Sequence, residues 1–145
     1  MKNNTIAIAS DHRGYKLKQN LIKWLEKNDY DIIDFGTSSE KRVDYPDYTK
    51  NLCEWMKSNP KGRGIVICGN GIGQSIFSNR FKHIRAALLY SKKVARDARI
   101  HNDTNVAVLG AESFRFSKQK KMLEIFFKTE KSPDPKYKRC IKKIS

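Results

Sequence analysis

The 145-residue sequence has few cysteines, few acidic residues and no long apolar run. Its three cysteines, Cys53, Cys68 and Cys140, lack CxxC spacing, which argues against a disulfide framework and a zinc site and favours a reducing compartment. No stretch approaches the roughly 18 continuous apolar residues of a membrane span, and the N-terminus has no signal-peptide pattern. We therefore expect a cytoplasmic protein with one domain, residues 1–145, and no membrane partner.

Acidic residues are half as numerous as basic ones, 15 against 30, so the formal net charge is +15. Such a basic chain could bind nucleic acid through its phosphates. The lysines are spread along the chain, however, and no aromatic-interleaved platform or nucleic-acid-binding motif is present. We therefore interpret the charge as a solvated basic surface with no nucleic-acid partner, which would help to attract an anionic metabolite.

Short apolar segments alternate with amphipathic segments along most of the chain. The apolar segments predict about five strands, at residues 5–10, 31–35, 64–68, 84–90 and 105–109. Apolar side chains at helical spacing predict helices between and after them, and the last is a basic helix at about 135–144. One of these helices spans Ser91 to Arg99 with Ser91 as its N-cap, and a polar turn at 101–104 follows it. This alternation indicates a parallel sheet covered on both faces, so we expect an α/β protein with a Rossmann-like three-layer α/β/α sandwich.

The third apolar segment runs into a glycine-rich turn. Cys68 is followed by Gly69, Gly71 and Gly73, which let the backbone turn sharply and leave amide N–H groups open to an anion. A helix beginning near Gln74 would add its positive dipole end. No Lys-Ser or Lys-Thr follows, which excludes a P-loop, and the glycine spacing fits a dinucleotide fingerprint poorly. The alternative is a purely structural turn with a cysteine that only packs.

Three polar segments follow apolar or helical segments along the chain: Asp11-His12, Cys68 to Gly73, and His101-Asn102. We place all three at the carboxyl ends of strands, which share one edge of a parallel sheet. A carboxylate, two imidazoles, a thiol and an amide-rich turn would then converge on one crevice. Individually, Asp11 could cap the first helix, and His101 and Asn102 could make turn hydrogen bonds. Their convergence favours a functional site.

These segments resemble a known family, the B-type ribose-5-phosphate isomerases and the related galactose-6-phosphate isomerase subunits. The matching motifs occur in family order and cover residues 5 to 110 almost continuously: Ser10-Asp11-His12-x-Gly14, Asp44-Tyr45-Pro46-Asp47-Tyr48, Cys68-Gly69-x-Gly71-Ile72-Gly73, Ile84-Arg85-Ala86-Ala87 and His101-Asn102-Asp103-Thr104-Asn105-Val106. The last motif is more similar to the ribose enzymes than to the galactose enzymes.

The resemblance implies an aldose–ketose isomerase of the pentose phosphate pathway, without metal or cofactor, that interconverts ribose 5-phosphate and ribulose 5-phosphate through a cis-enediolate. It implies that Cys68 is the catalytic base and that His101 assists opening of the furanose ring. Asp11 would hold sugar hydroxyls, and His12 would lie near the phosphate. The other substrate-binding residues would be Gly69, Asn70, Gly71, Gly73, Ser75, Asn102, Lys136 and Arg139.

The resemblance also implies an assembly, because family members are dimers or tetramers of dimers whose active sites are each built from two chains. We therefore expect a homodimer or tetramer with shared sites and a phosphorylated sugar as substrate.

The sequence departs from the family pattern mainly at the phosphate end. Asn70 replaces the usual Thr or Ser, Glu112 replaces a phosphate-binding arginine, and residues 136–140, Lys-Tyr-Lys-Arg-Cys, replace an Arg-His-x-x-Arg segment. A carboxylate would repel phosphate, so we expect Glu112 to turn away or to pair with a cation. The alternatives are therefore an isomerase of another phosphosugar, such as a hexose 6-phosphate, and a non-catalytic sugar-phosphate-binding relative.

Overall fold

The structure is a computed structural model that describes residues 4–145, within which five strands alternate with six helices. The strands are β1 (Thr5–Ser10), β2 (Asp31–Asp34), β3 (Arg63–Cys68), β4 (Ala86–Leu88) and β5 (Val106–Gly110). The helices are α1 (Tyr15–Lys27), α2 (Tyr45–Ser58), α3 (Ile72–Ser78), α4 (Lys92–Asn102), α5 (Phe116–Lys128) and α6 (Pro135–Ile144). The predicted basic C-terminal helix is confirmed.

The strands form one parallel sheet in the order β2-β1-β3-β5-β4, with β3 at its centre. Ser10 pairs with Ile67, and Cys68 pairs with Gly110, so β1, β3 and β5 end side by side at one edge. We call this edge the carboxyl edge. The predicted parallel five-stranded α/β sheet is confirmed.

Side chains that alternate along the strands build a core on each face of the sheet. Ile65 and Ile67 face one cluster, in which they pack with side chains of α1, α4 and α5. Val66 faces the other cluster, which includes Leu52 and Met56 of α2. Helices therefore cover both faces, as expected for the three-layer sandwich.

The edge strand β4 spans Ala86–Leu88 and is shorter than the predicted 84–90. Asparagine side chains replace strand partners at its start: the Arg85 N–H donates to Asn105 Oδ1 at 2.7 Å, and the Ala86 N–H donates to Asn79 Oδ1 at 2.9 Å. Because side chains satisfy these backbone donors, the regular ladder begins later than the apolar run.

Helix α4 extends three residues beyond the predicted Arg99, to Asn102. Its predicted N-cap is confirmed, because Ser91 Oγ accepts a hydrogen bond from the Val94 N–H at 3.1 Å. The helix ends at Asp103, which adopts a left-handed conformation with φ 44° and ψ 44°. The predicted polar turn at 101–104 is therefore wrong for His101 and Asn102, which form the last turn of α4.

Candidate active site

Cys68 lies at the carboxyl edge, with 5% of its surface exposed, at the end of the central strand β3. Its Sγ accepts a hydrogen bond from the Gly71 N–H at 3.2 Å. Gly71 is the N-cap of α3 and has φ +81°, a conformation that side chains rarely adopt. The glycine is thus needed to aim its amide at the sulfur, as a thiolate base would require.

The turn after Cys68 is fixed by side chains on both sides. Asn70 Oδ1 accepts a hydrogen bond from the Ile72 N–H at 3.0 Å, which closes the start of α3. Buried Gln74 donates to the Ile67 carbonyl at 3.1 Å and accepts from the Thr49 hydroxyl at 2.6 Å. These bonds join β3, α3 and α2, so the turn has a defined shape before any ligand arrives.

Tyr45 lies in the motif Asp44-Tyr45-Pro46-Asp47-Tyr48, but it is not among the site residues predicted from the sequence. A Cβ added to Gly73 would lie only 2.5 Å from the Tyr45 hydroxyl oxygen. Gly73 therefore leaves space for this hydroxyl beside the turn. The motif match was the available signal that Tyr45 belongs to the site.

Asp11 and His12 follow β1, the neighbour of β3, and line a cavity of about 640 Å³ that also includes Tyr45. Asp11 is buried. Its Oδ1 accepts a hydrogen bond from the N–H of Gly14, the N-cap residue of α1, at 2.9 Å and so stabilises the turn that leads into this helix. His12 Nδ1 accepts from the Val43 N–H at 3.2 Å. A neutral His12 therefore carries its proton on Nε2, which is available as a hydrogen-bond donor.

Glu112, which follows β5, pairs with Arg13, which follows Asp11 and His12. The Arg13 Nε and Nη2 groups donate to Glu112 Oε1 and Oε2 at 2.8 and 2.5 Å. The hydrogen bonds and charge of Arg13 hold the pKa of the Glu112 carboxyl below its ordinary value. The expectation that Glu112 turns away or pairs with a cation is confirmed in its second form, whereas no sequence pattern identifies Arg13 as the partner.

His101 and Asn102 do not reach the carboxyl edge of their own chain. They end α4, and the strand that follows, β5, starts at Val106 beside Gly64, at the opposite edge of the sheet. The prediction that all three polar segments meet at one edge is therefore wrong within a single chain. A helix that precedes a parallel strand ends near the strand's amino end, which the sequence interpretation overlooked.

His101 instead lies beside α6. Its ring stacks on that of Tyr137, with centroids 4.7 Å apart and planes 20° apart. Lys136 and Arg139, the predicted phosphate ligands, belong to the same helix, and both are exposed. We call His101, Asn102, Lys136, Tyr137 and Arg139 the α4–α6 cluster. We call Asp11, His12 and Cys68 to Gly73 the carboxyl-edge cluster; Ser75 lies next to it on α3.

Two further observations apply to residues 4–145 only. In that range, no group of three or more His, Cys, Asp or Glu side chains is arranged to hold a metal ion. Within the same range, no helix has the length and apolar character that crossing a membrane requires.

The fold and the carboxyl-edge cluster define a class of protein: a parallel α/β protein whose central strand ends in a buried thiol beside an amide-rich turn. A family model, Ribose/Galactose Isomerase, matches residues 6–144. The chain therefore belongs to the ribose/galactose isomerase family, and the resemblance stated from its motifs is confirmed.

Individual relatives agree with this family. The chain is 39% identical over 106 residues to ribose-5-phosphate isomerase B of Escherichia coli, covering 73% of this chain and 71% of the relative. A crystal structure of ribose 5-phosphate isomerase from Thermotoga maritima matches with TM-score 0.94 and 38% identity, covering 99% and 98% of the two chains. A Mycoplasma genitalium ribose-5-phosphate isomerase B with bound ribulose-5-phosphate matches with TM-score 0.91 and 34% identity, covering 97% and 93%.

Proposed function

We propose that this chain is a ribose-5-phosphate isomerase that interconverts ribose 5-phosphate and ribulose 5-phosphate without metal or cofactor. The observation that carries the proposal is the Cys68 sulfur, hydrogen-bonded to the Gly71 amide 3.2 Å away at the end of the central strand. Family membership supports it, since a solved relative at 34% identity holds ribulose-5-phosphate. Within residues 68–73, Cys68 has the one titratable side chain and is therefore the candidate base.

In the proposed reaction, the Cys68 thiolate removes the proton from C2 of the open-chain aldose, and the electron pair moves to O1 to give a cis-enediolate. The C2 hydroxyl then passes its proton to O1, the Cys68 thiol returns its proton to C1, and the C2 oxygen becomes the carbonyl while the thiolate is regenerated. Amides of the Gly69–Gly73 turn face the developing oxyanion, which is charge that appears only as the bond breaks. Asp11 holds sugar hydroxyls through its carboxylate, of which only Oδ1 is engaged by a described residue.

We also propose that two copies of the chain build each active site. The predicted ring-opening His101 and the carboxyl-edge cluster lie at opposite edges of one chain, so one copy cannot place both on the same sugar. Apolar side chains are available for such an interface: Ile72 and Ile76 of α3 are 54% and 57% exposed, and α6 has no buried residue. A homodimer, alone or within a tetramer, would place the α4–α6 cluster of one copy over Cys68 of the other.

In this assembly the substrate phosphate is held by His12 of one copy and by Lys136 and Arg139 of the other, with Asn102 beside them. Lys136 and Arg139 are exposed in the single chain, and the contacts of Lys136 are a 4.0 Å pair with Asp134 and the ring of Tyr137, so both cations are accessible to a ligand. We place the enzyme in the cytoplasm, because a catalytic thiol needs a reducing compartment and all three cysteines are free.

A coupled isomerase assay over a panel of pentose and hexose phosphates, with a chelator present, tests the proposal. We expect the highest kcat/KM with ribose 5-phosphate and no loss of activity with the chelator. Activity that the chelator abolishes and a divalent cation restores would overturn metal independence. A preference for a hexose 6-phosphate, to which the departures at Asn70 and Glu112 draw attention, would establish the alternative substrate. Absence of turnover on every sugar phosphate would indicate a binding protein.

A further inference from the structure

The ion pair between Arg13 and Glu112 crosses the end of the central strand. Arg13 follows β1 and Glu112 follows β5, the two strands that flank β3. The loop that carries Glu112 is itself bonded to the catalytic turn, since the Glu112 N–H donates to the Gly69 carbonyl at 3.0 Å and the Ala111 N–H donates to the Cys68 carbonyl at 2.8 Å. The pair therefore joins the segments that follow β1 and β5 across the carboxyl end of β3, where Cys68 and Gly69 lie.

The guanidinium of Arg13 lies against the backbone of Gly69. A Cβ added to Gly69 would lie only 2.1 Å from Arg13 Cζ and 2.4 Å from its Nε and Nη2. Arg13 also lines the cavity that contains Asp11 and His12. A cationic group is thus held next to the proposed catalytic base, in the cavity where the sugar phosphate would bind.

Glu112 occupies only part of the hydrogen-bonding capacity of Arg13. Its two oxygens accept from Nε and Nη2, and no other described residue is recorded as an acceptor for Arg13. An arginine has five N–H donors, so three are left. The Nη1–Nη2 edge can bind a second oxyanion in bidentate fashion while the Nε–Nη2 edge stays on the carboxylate.

Stability of the fold does not explain this pair. The side chains of Arg13 and Glu112 are 49% and 56% exposed, and ion pairs at such exposure contribute little to folding. The bidentate geometry instead fixes a long, flexible side chain in one orientation, which is useful where a ligand must meet a guanidinium already in position.

We infer that Arg13 binds the substrate phosphate and that Glu112 is the positioning residue that holds its guanidinium over Gly69. The inference rests on the proposed function, because it takes the substrate to be a phosphorylated sugar. The phosphate would lie on the Nη1–Nη2 edge of Arg13, where the Nε2–H of neighbouring His12 offers a second donor. A fixed guanidinium from the same chain would then complement Lys136 and Arg139 and would distinguish phosphorylated sugars from unphosphorylated ones.

Steady-state kinetics of Arg13→Ala test the inference. We expect the KM for ribose 5-phosphate to rise about 10- to 100-fold, as for the loss of one charge-assisted contact, with kcat changed less than about threefold. The inhibition constant for inorganic phosphate should rise in parallel. Arg13→Lys keeps the charge but lacks the planar edge, so its KM should be intermediate. The matched control is Lys16→Ala, which removes an exposed cation of the nearby α1 that is paired with Glu40 at 3.3 Å, and we expect it to leave both kcat and KM unchanged.

A double-mutant cycle tests the role of Glu112. We expect Glu112→Ala to raise KM severalfold and Arg13→Ala/Glu112→Ala to match Arg13→Ala alone, because Glu112 acts only through Arg13. Additive effects, an unchanged KM in Arg13→Ala, or a fall in kcat without a change in KM would each overturn the inference. Absence of ribose 5-phosphate turnover in the unaltered protein would overturn the proposed function instead. Phosphate-induced stabilisation against thermal unfolding, compared between the unaltered protein and Arg13→Ala, would still test Arg13 in that case.

Discussion

The two clusters of predicted site residues differ in how their own chain holds them. In the carboxyl-edge cluster, backbone and side-chain hydrogen bonds fix almost every group: Cys68 by the Gly71 amide, Asp11 by the Gly14 amide and His12 by the Val43 amide. In the α4–α6 cluster, the contact is a ring stack between His101 and Tyr137 on a helix with no buried residue. Under the proposed two-chain site, the first cluster is already fixed by its own chain, whereas the second would be completed by the other copy.

The largest effect should come from replacing the thiol of the carboxyl-edge cluster. We expect Cys68→Ser to lower kcat by about 10²–10⁴-fold, because a serine hydroxyl is a far weaker base than a thiol. Substrate should still bind, since Asn70 and Gln74 hold the turn independently of residue 68, and a serine oxygen can also accept a hydrogen bond from the Gly71 amide. Equilibrium binding of ribose 5-phosphate and single-turnover kinetics separate the two. A serine variant with most of its turnover would show that Cys68 is not the base.

Mixing two variant chains tests whether the Cys68 and the His101 of each active site come from different copies. Cys68→Ser and His101→Ala homodimers should each be nearly inactive, but after subunit exchange at equal concentrations about a quarter of the sites should regain both side chains, given two-fold symmetry and random pairing. Activity regained on mixing, measured against each variant alone, is the readout. Activity that stays at the sum of the two variants, with exchange verified by mass spectrometry, would place His101 and Cys68 of one chain in the same site.

His101→Ala should show a smaller, substrate-dependent effect. A ring-opening residue matters only for a sugar that cyclises, so we expect kcat/KM for ribose 5-phosphate to fall about 10- to 100-fold within the range of general acid–base catalysis. A phosphorylated sugar that is too short to form a furanose should be spared. Equal losses on both substrates would contradict the ring-opening role. Tyr137→Phe, which keeps the stacked ring, provides a control for local packing.

The smallest effect concerns the second buried thiol, Cys53 of α2, which has no role in the proposed reaction. Burial raises the pKa of Cys53 from 9.0 to about 12. Between these values the unfolded chain releases the thiol proton while the folded chain keeps it, so the free energy of unfolding should fall as pH rises, by about 1 kcal/mol from this group at pH 10. Urea unfolding at pH 8 and 10 should show a smaller decrease for Cys53→Ala than for the exposed-thiol control Cys140→Ala. Equal decreases would contradict the pKa.

The sequence was sufficient to predict the sheet and the carboxyl-edge cluster. The alternation of short apolar segments such as β3 with amphipathic segments predicts the fold, and a thiol followed by spaced glycines is a local pattern. The position of the α4–α6 cluster is not predicted, because the polar pattern at His101 and Asn102 indicates a turn although these residues continue α4. The Arg13–Glu112 pair joins residues 99 positions apart, and only the sheet order brings their loops together.

The ties between the loops at the carboxyl edge have a consequence for how this site tolerates sequence change. Main-chain groups join Ala111 to Cys68 and Glu112 to Gly69, and such bonds do not depend on which side chains are present. The side chain at position 112 can therefore vary through evolution while the main chain that carries the thiol stays where it is. Glu112, which departs from the family pattern near Cys68, lies at such a position, whereas Asn70 holds the turn through its own side chain. Under the proposed function, substitution at position 112 would change substrate affinity without disabling proton transfer.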